Sequence, residues 1–305
     1  MRRRTALIAF AVCLLFAGFA EAEEGLSRHR LTHNGLERTY LRYVPPSVQR
    51  ADGPAQLVVV LHGGGGAARF IMRHTRFNRL ADDSGFIALY PDGLNRHWND
   101  GRVKYQGVDD VGFITEAIKQ TVTDTGRIDN RRIFVAGMSN GGFMSQRLAC
   151  EQAGLFAGMA VVTAQFTEEL LASCNPSRPL AALYINGTED PLIPYDGGAI
   201  APKWGPRGTV TSTAATTAFW QRHNGCGGTP TMTLLPDLDT TDDIRVEQHD
   251  WPGCEQNAPL RLYRIVGGGH TWPGKKQYLP EAVIGRTTGD IDANRLIDDF
   301  FRSVQ

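Results

Sequence analysis

RIFVAGMSNGGFMSQRLAC, residues 132–150, is the stretch on which the fold turns. Its first part, RIFVAG (132–137), is a short apolar run of the kind that makes a buried strand, and FMSQRLAC (143–150) has helical spacing. Between them Gly137-Met138-Ser139-Asn140-Gly141 fits G-x-S-x-G. A serine on a sharp strand-to-helix turn needs small residues two before and two after it, because the backbone crowds there and a Cβ would collide. Alone the pattern arises by chance. With a strand before it and a helix after it, it predicts an exposed, nucleophilic Ser139 rather than a plain glycine-rich connection.

The same alternation extends outward. LVVVL (57–61), FIALY (86–90), LAALYIN (180–186) and LRLYRIV (260–266) read as further buried strands. Helical spacing occupies 68–83, 108–125, 141–153, 209–224 and 292–303. Strands alternating with helices predict an α/β class: a mostly parallel sheet with helices on both faces. Residues 28–44 alternate about Asn34-Gly35, a pair suited to positive φ, and predict an antiparallel hairpin at one sheet edge. No repeat, coiled coil or low-complexity linker interrupts the pattern. The segment 226–258, rich in Pro, Asp and Thr, is the least regular.

A serine nucleophile on this scaffold requires an acid and then a histidine after it in chain order, each on a loop beyond a later strand. Asp190 follows LAALYIN, and His270 follows LRLYRIV behind Gly267-Gly268-Gly269. The imidazole would take the Ser139 proton while the carboxylate fixes its tautomer. Glu189 and Asp196 compete with Asp190 for the acid role. His62 is read as a structural member of its turn rather than a base. That turn, His62-Gly63-Gly64-Gly65-Gly66, follows LVVVL, and its backbone can approach a ligand oxygen closely. The N–H groups of Gly64 and Asn140 are the expected oxyanion donors. A phosphate loop is the competing reading, but the Lys-Ser/Thr ending and the G-x-G-x-x-G spacing are missing.

MRRRTALIAFAVCLLFAGFAEAEE opens the chain with a basic cluster, an apolar run and a small-residue site at Ala20-Glu21-Ala22. Residues 1–22 are therefore expected to be a secretory signal peptide, and 23–305 a single catalytic domain exported to a periplasm or the cell exterior. Removing three Arg and one Glu with the leader leaves 29 basic and 31 acidic residues, formally −2. That balance gives no electrostatic case for a nucleic-acid or membrane partner. Cys150, Cys174, Cys226 and Cys254 remain, which in an oxidising compartment predicts two disulfides. Three pairings are open, and the near neighbours, 150 with 174 and 226 with 254, are preferred. Without CxxC pairs or a suitably spaced His, no metal site is expected.

Several motifs together resemble the secreted feruloyl esterase and polyhydroxybutyrate depolymerase-like (LpqC-type) family of α/β-hydrolases. They are LHGGGG (61–66), YPDGLNRHWND (90–100), DDVGFI (109–114), GMSNGG (137–142), NGTEDPLIPYDGG (186–198), HNGCGG (223–228) and GGGHTWPG (267–274). The resemblance implies Ser139, Asp190 and His270 as the triad, and neither metal nor organic cofactor. It implies hydrolysis of carboxylic esters, hydroxycinnamoyl esters of plant polysaccharide first and 3-hydroxybutyrate oligomers second. A non-catalytic binding protein on the same fold is the reading from a different class, since fold alone does not establish activity. The larger depolymerases carry a linker and an added substrate-binding domain that are not seen here, which turns the expectation away from solid polymer. Trp98, Trp272 and Tyr195 fall in loops expected at the catalytic end, where they would either stack on substrate or pack those loops. Asp109 and Asp110 are read as capping the helix that begins beside them.

Overall fold

The computed structural model of the protein describes residues 23–102 and 106–304. The expected leader, residues 1–22, lies outside them. In chain order the strands are β1 (Leu26–His33), β2 (Leu36–Tyr43), β3 (Ala55–Leu61), β4 (Phe86–Pro91), β5 (Ile128–Met138) and β6 (Gly158–Val162). They continue as β7 (Ala181–Gly187), β8 (Gly198–Ala199), β9 (Thr209–Val210), β10 (Thr231–Leu234), β11 (Arg245–Trp251) and β12 (Leu260–Val266). Ten form one sheet in the order β1-β2-β4-β3-β5-β6-β7-β12-β11-β10, while β8 and β9 pair separately as a short ribbon. From β4 to β12 all neighbours are parallel, and an antiparallel hairpin closes each edge.

The helices are α1 (Pro46–Arg50), α2 (Ala68–Thr75), α3 (Phe77–Ser84), α4 (Asp110–Thr125), α5 (Asn140–Glu151), α6 (Glu168–Ser173), α7 (Thr213–His223), α8 (Glu281–Ile284) and α9 (Ala293–Ser303). Strand β3 explains why they cover both faces. Leu57, Val59 and Leu61 share a core with Phe113 of α4, Phe143 of α5 and Trp220 of α7. Val58 and Val60 point the other way, into a core with Ile71 of α2, Phe77 of α3 and Phe301 of α9. A strand buried on both sides has no polar face to show, which is why LVVVL is unbroken. The fold is that of an α/β-hydrolase.

Expectation and structure part in three places. The helix expected over 68–83 is two, broken at Arg76 in a left-handed conformation (φ 54°, ψ 38°). At the break the Thr75 carbonyl accepts from the Asn294 side chain of α9 (2.7 Å), a tertiary contact that local spacing does not reveal. Strand β6 was not anticipated, because five residues, GMAVV, carry too little pattern to separate a strand from a helix end. The irregular 226–258 segment contains the whole of β10 and of its antiparallel partner β11. Strand β11 buries Val246 and carries polar residues along most of its length, and ion pairs tie it across to β12. Glu247 stands opposite Arg264 and Asp250 opposite Arg261, with N–O distances of 3.0 and 2.5 Å.

Disulfides join Cys150 to Cys174 and Cys226 to Cys254. The first ties the end of α5 to the end of α6, and the second closes the base of the β10–β11 hairpin. The Asn34-Gly35 turn has both residues at positive φ (48° and 77°), as a two-residue type I′ connection demands. Among the described residues no helix is long and apolar enough to cross a membrane. The carboxyl ends of β3, β5, β7 and β12 open onto one edge, where α/β sheets hold their ligands.

Candidate active site

The turn from β5 into α5 is built on backbone crowding. A Cβ on Gly137 would strike the Gly141 carbonyl, and one on Gly141 would strike the carbonyls of Leu61 and His62. Ser139 sits between them at φ 56°, ψ −121°, a conformation that L-residues rarely adopt and that marks stored strain. Its N–H donates to Val162 O at the end of β6 (2.9 Å), and its carbonyl accepts from Phe143 N (2.9 Å). The side chain makes no capping bond, so the hydroxyl is left to the cavity in front of it.

Asp190 and His270 meet although 80 residues apart: Nδ1–H of His270 donates to Asp190 Oδ2 at 2.7 Å, with both side chains almost wholly buried. The other carboxylate oxygen accepts from the N–H groups of Leu192 and Ile193, each at 2.8 Å. Both oxygens of the Asp190 carboxylate are thus engaged. The rival acids stand elsewhere: Glu189 is exposed and paired with Arg286 (3.3 Å), and Asp196 is exposed. The two loops can touch because a Cβ on Gly187 would collide with the Gly268 carbonyl. Glu189 N–H then bonds to that carbonyl (2.9 Å), and His270 N–H to Ile284 O (2.5 Å).

In the glycine turn after β3, the N–H groups of Gly65 and Gly66 are taken by Arg96 O (2.8 Å) and Gly63 O (2.9 Å). Gly64 lines the cavity beside Asn140, whose own N–H is the first of α5 and has no helical acceptor. The Asn140 side chain holds the next loop. It accepts from Trp98 N (2.8 Å) and donates to Asp100 Oδ2 (2.6 Å). Asp100 is itself buried in a forked pair with Arg102 (Nη2 to Oδ2, 2.5 Å), and Arg102 reaches Arg207 O at 2.7 Å. A second buried pair, Arg38 with Asp110 (2.5 Å), orients the Asp110 oxygen that accepts from Asn99 N (2.7 Å). Asp109 is the cap, accepting from Gly112 N at 2.8 Å, so the capping expected of both residues belongs to Asp109 alone. Asp100 and Arg102 were invisible to sequence reasoning because a D-G-R triplet carries no periodic or spacing signal.

His62 is fully buried and neutral by construction. Gly93 N–H donates to its Nε2 (3.0 Å), while its Nδ1–H donates to Gly63 O (2.8 Å). Burial pushes its pKa down to about 4. Between that value and the ordinary 6.5 the unfolded chain binds a proton the folded chain refuses, so stability falls as the pH drops through this window. Urea unfolding at pH 7 and pH 5 is expected to show His62 costing about 2 kcal/mol over that interval. His62→Gln should be less stable at pH 7 yet lose correspondingly less on acidification. An identical acid loss in the variant would assign the sensitivity to other groups.

Ser139, His270, Gly64 and Asn140 line one cavity of about 340 Å³. Two of the three expected aromatic contacts are core residues instead. Trp98 is 0% exposed, its indole N–H bonded to His62 O (2.8 Å), and Trp272 is 1% exposed and bonded to Asn294 Oδ1 (2.9 Å). Both pack the loops that carry the site, because each indole finds an acceptor inside. Tyr195 does not line the cavity either; its ring lies under the Arg264 guanidinium at 5.7 Å. Among the described residues, the Phe and Tyr side chains that line the cavity are Phe70, Phe143 and Tyr278.

The chain is similar to known esterases. A family model described as esterase PHB depolymerase matches residues 38–173. NocK of Nocardia uniformis subsp. tsuyamanensis, named as an esterase, is 30% identical over 277 residues, 87% of this chain and 79% of that one. The chain belongs to the PHB depolymerase esterase family. Feruloyl esterase C of Emericella nidulans is 28% identical over 241 residues, covering 76% of each chain. Feruloyl esterase B of Piromyces equi is 29% identical over 231 residues, 74% of this chain but 41% of that enzyme. Among solved structures, the acetyl xylan esterase from Aspergillus awamori superposes with a TM-score of 0.58 at 17% identity, over 80% of this chain and 94% of that one, a likeness of fold. This esterase is a carboxylic ester hydrolase.

Proposed function

We propose that the protein cleaves carboxylic esters through an acyl-enzyme on Ser139, with hydroxycinnamoyl esters of plant polysaccharide as the substrate class. The observation that carries the reading is the 2.7 Å His270–Asp190 bond at the wall of the cavity that Ser139 also lines. Asp190 holds the proton on Nδ1, which leaves Nε2 as the base for the Ser139 hydroxyl. Ser139 Oγ attacks the carbonyl carbon as its proton passes to His270. The backbone N–H groups of Gly64 and Asn140 bind the oxyanion, and the imidazolium returns the proton to the departing alcohol. Water then repeats the cycle on the acyl-enzyme.

The feruloyl preference draws on the names of the curated relatives. Hydrolysis of 3-hydroxybutyrate oligomers is the second reading, favoured by the family model's description. Export of a catalytic unit over residues 23–305 behind a leader at 1–22 fits the two disulfides, which persist in oxidising compartments. Steady-state hydrolysis of methyl ferulate, p-nitrophenyl acyl esters and 3-hydroxybutyrate oligomers tests the reading. Methyl ferulate is expected to be cleaved with a higher kcat/KM than the oligomers, and p-nitrophenyl esters to give a burst of one equivalent per chain. Cleavage of the oligomers alone would transfer the assignment to the second reading.

A further inference from the structure

Two exposed apolar side chains have no work to do in the architecture. Among the described residues Phe70 (44% exposed) and Leu279 (41%) are large hydrophobics left open to solvent, and both lie on the cavity that holds Ser139 and His270. Scattered singly over a surface such residues need no explanation, but paired on a concave site they mark a place where something apolar docks.

Phe70 is also packed against other rings. One turn along α2, His74 stacks on it at 5.4 Å with 7° between the rings. Tyr278 presents its edge to both, at 6.2 Å and 73° to Phe70 and at 5.3 Å and 75° to His74. Burial lowers the His74 pKa and raises that of Tyr278, so all three rings stay uncharged near neutral pH. The Tyr278 hydroxyl donates to the backbone carbonyl of His270 (3.2 Å), which fixes the cluster to the loop carrying that imidazole. The same cavity is lined by the aliphatic Leu192, Ile193 and Ile200 and by the cationic Arg96, Arg102 and Arg207. Its volume of about 340 Å³ falls within the usual ~300–1,000 Å³ of small-molecule sites.

We propose that Phe70 and Leu279 are specificity-determining residues that grip an aromatic ring of the ester, and that Tyr278 is a positioning residue keeping this grip in register with His270. A flat ring can lie offset on the open part of Phe70, whose other contacts are already ring against ring, and a preformed platform loses little entropy when it is covered. The proposal rests on the reading of Ser139 as the nucleophile, but a binding experiment separates the two.

Binding of methyl ferulate is measured by calorimetry on Ser139→Ala protein, alone and combined with Phe70→Ala, Phe70→Leu or Leu279→Ala. Phe70→Ala is expected to weaken Kd about tenfold and Phe70→Leu, which keeps apolar area and removes the ring, by roughly threefold. Phe70 is exposed, so these variants should fold, and a melting curve checks that they do. Tyr278→Phe tests the positioning role in the otherwise unaltered enzyme: kcat should fall about threefold to tenfold while KM moves less than twofold. A structural role alone would not divide the constants in this way. If methyl ferulate binds Ser139→Ala protein equally with and without Phe70, or does not bind at all, the grip is wrong. If binding depends on Phe70 but the native enzyme does not cleave methyl ferulate, the grip stands and the feruloyl assignment falls.

Discussion

Ser139→Ala is expected to lower kcat on a p-nitrophenyl ester by at least ~10⁴-fold while leaving a folded protein. The loss is large because the acyl-enzyme cannot form, and what survives is catalysis by binding and the oxyanion donors alone. Folding is expected to persist because the hydroxyl caps nothing and the bonds that hold the turn come from the backbone of residue 139. Ser139→Gly should be equally inactive yet more stable by about 1 kcal/mol, since glycine occupies φ 56°, ψ −121° without strain. Thermal unfolding beside the rate assay checks both statements. Retention of more than a hundredth of the native rate in the alanine variant would move the nucleophile elsewhere.

Asp190→Asn is expected to cost ~10⁴-fold in kcat with little change in stability. The reason lies in the two backbone amides that point at Oδ1. Leu192 and Ile193 donate there at 2.8 Å, so an asparagine must place its carbonyl toward them and turn its NH₂ toward His270. Nδ1 is then obliged to accept, the proton moves to Nε2, and the nitrogen that should receive the Ser139 proton already carries one. Glu189→Gln provides the comparison, because Glu189 is exposed, pairs with Arg286, and should leave kcat within twofold. A comparable loss in both variants would mean that general charge, not the fixed tautomer, is at stake. Rate measurements with each purified variant, supported by the Nδ1 and Nε2 proton signals in NMR, settle which nitrogen holds the proton.

Much of this was legible in the chain. The β5–α5 turn could be read from Gly137 and Gly141 because the constraint is local: a Cβ at either position meets backbone within a few residues or in the neighbouring strand. The parallel core was legible because strands buried on both faces are apolar throughout, as LVVVL is. Asp190 and His270 were singled out by their place at strand ends in chain order, and the two side chains do meet, while both ring nitrogens of His62 are engaged by backbone.

Other features are decided by partners distant in sequence. The break at Arg76 is met by a hydrogen bond from Asn294 to the Thr75 carbonyl, and the polar β11 is paired with charges facing it from β12. Trp98 and Trp272, which loop position left open between stacking on substrate and packing the loops, are buried, with acceptors at His62 O and Asn294 Oδ1 inside the protein to receive their N–H groups. Sequence could not exchange them for Phe70 and Tyr278, which belong to α2 and to the loop after the histidine and share a cavity wall only when the sheet is assembled.

By itself, then, the sequence determined the α/β alternation and the serine turn, and it set the chain order of the proposed triad, because backbone sterics and the burial pattern of a two-sided sheet act over a few neighbouring residues. Only the tertiary structure decided which carboxylate meets His270, which buried pair steadies Asn140, and which rings face the cavity. Those outcomes depend on hydrogen-bond partners and packing surfaces brought together from distant positions, 80 residues apart for Asp190 and His270 and farther still for Phe70 and Tyr278.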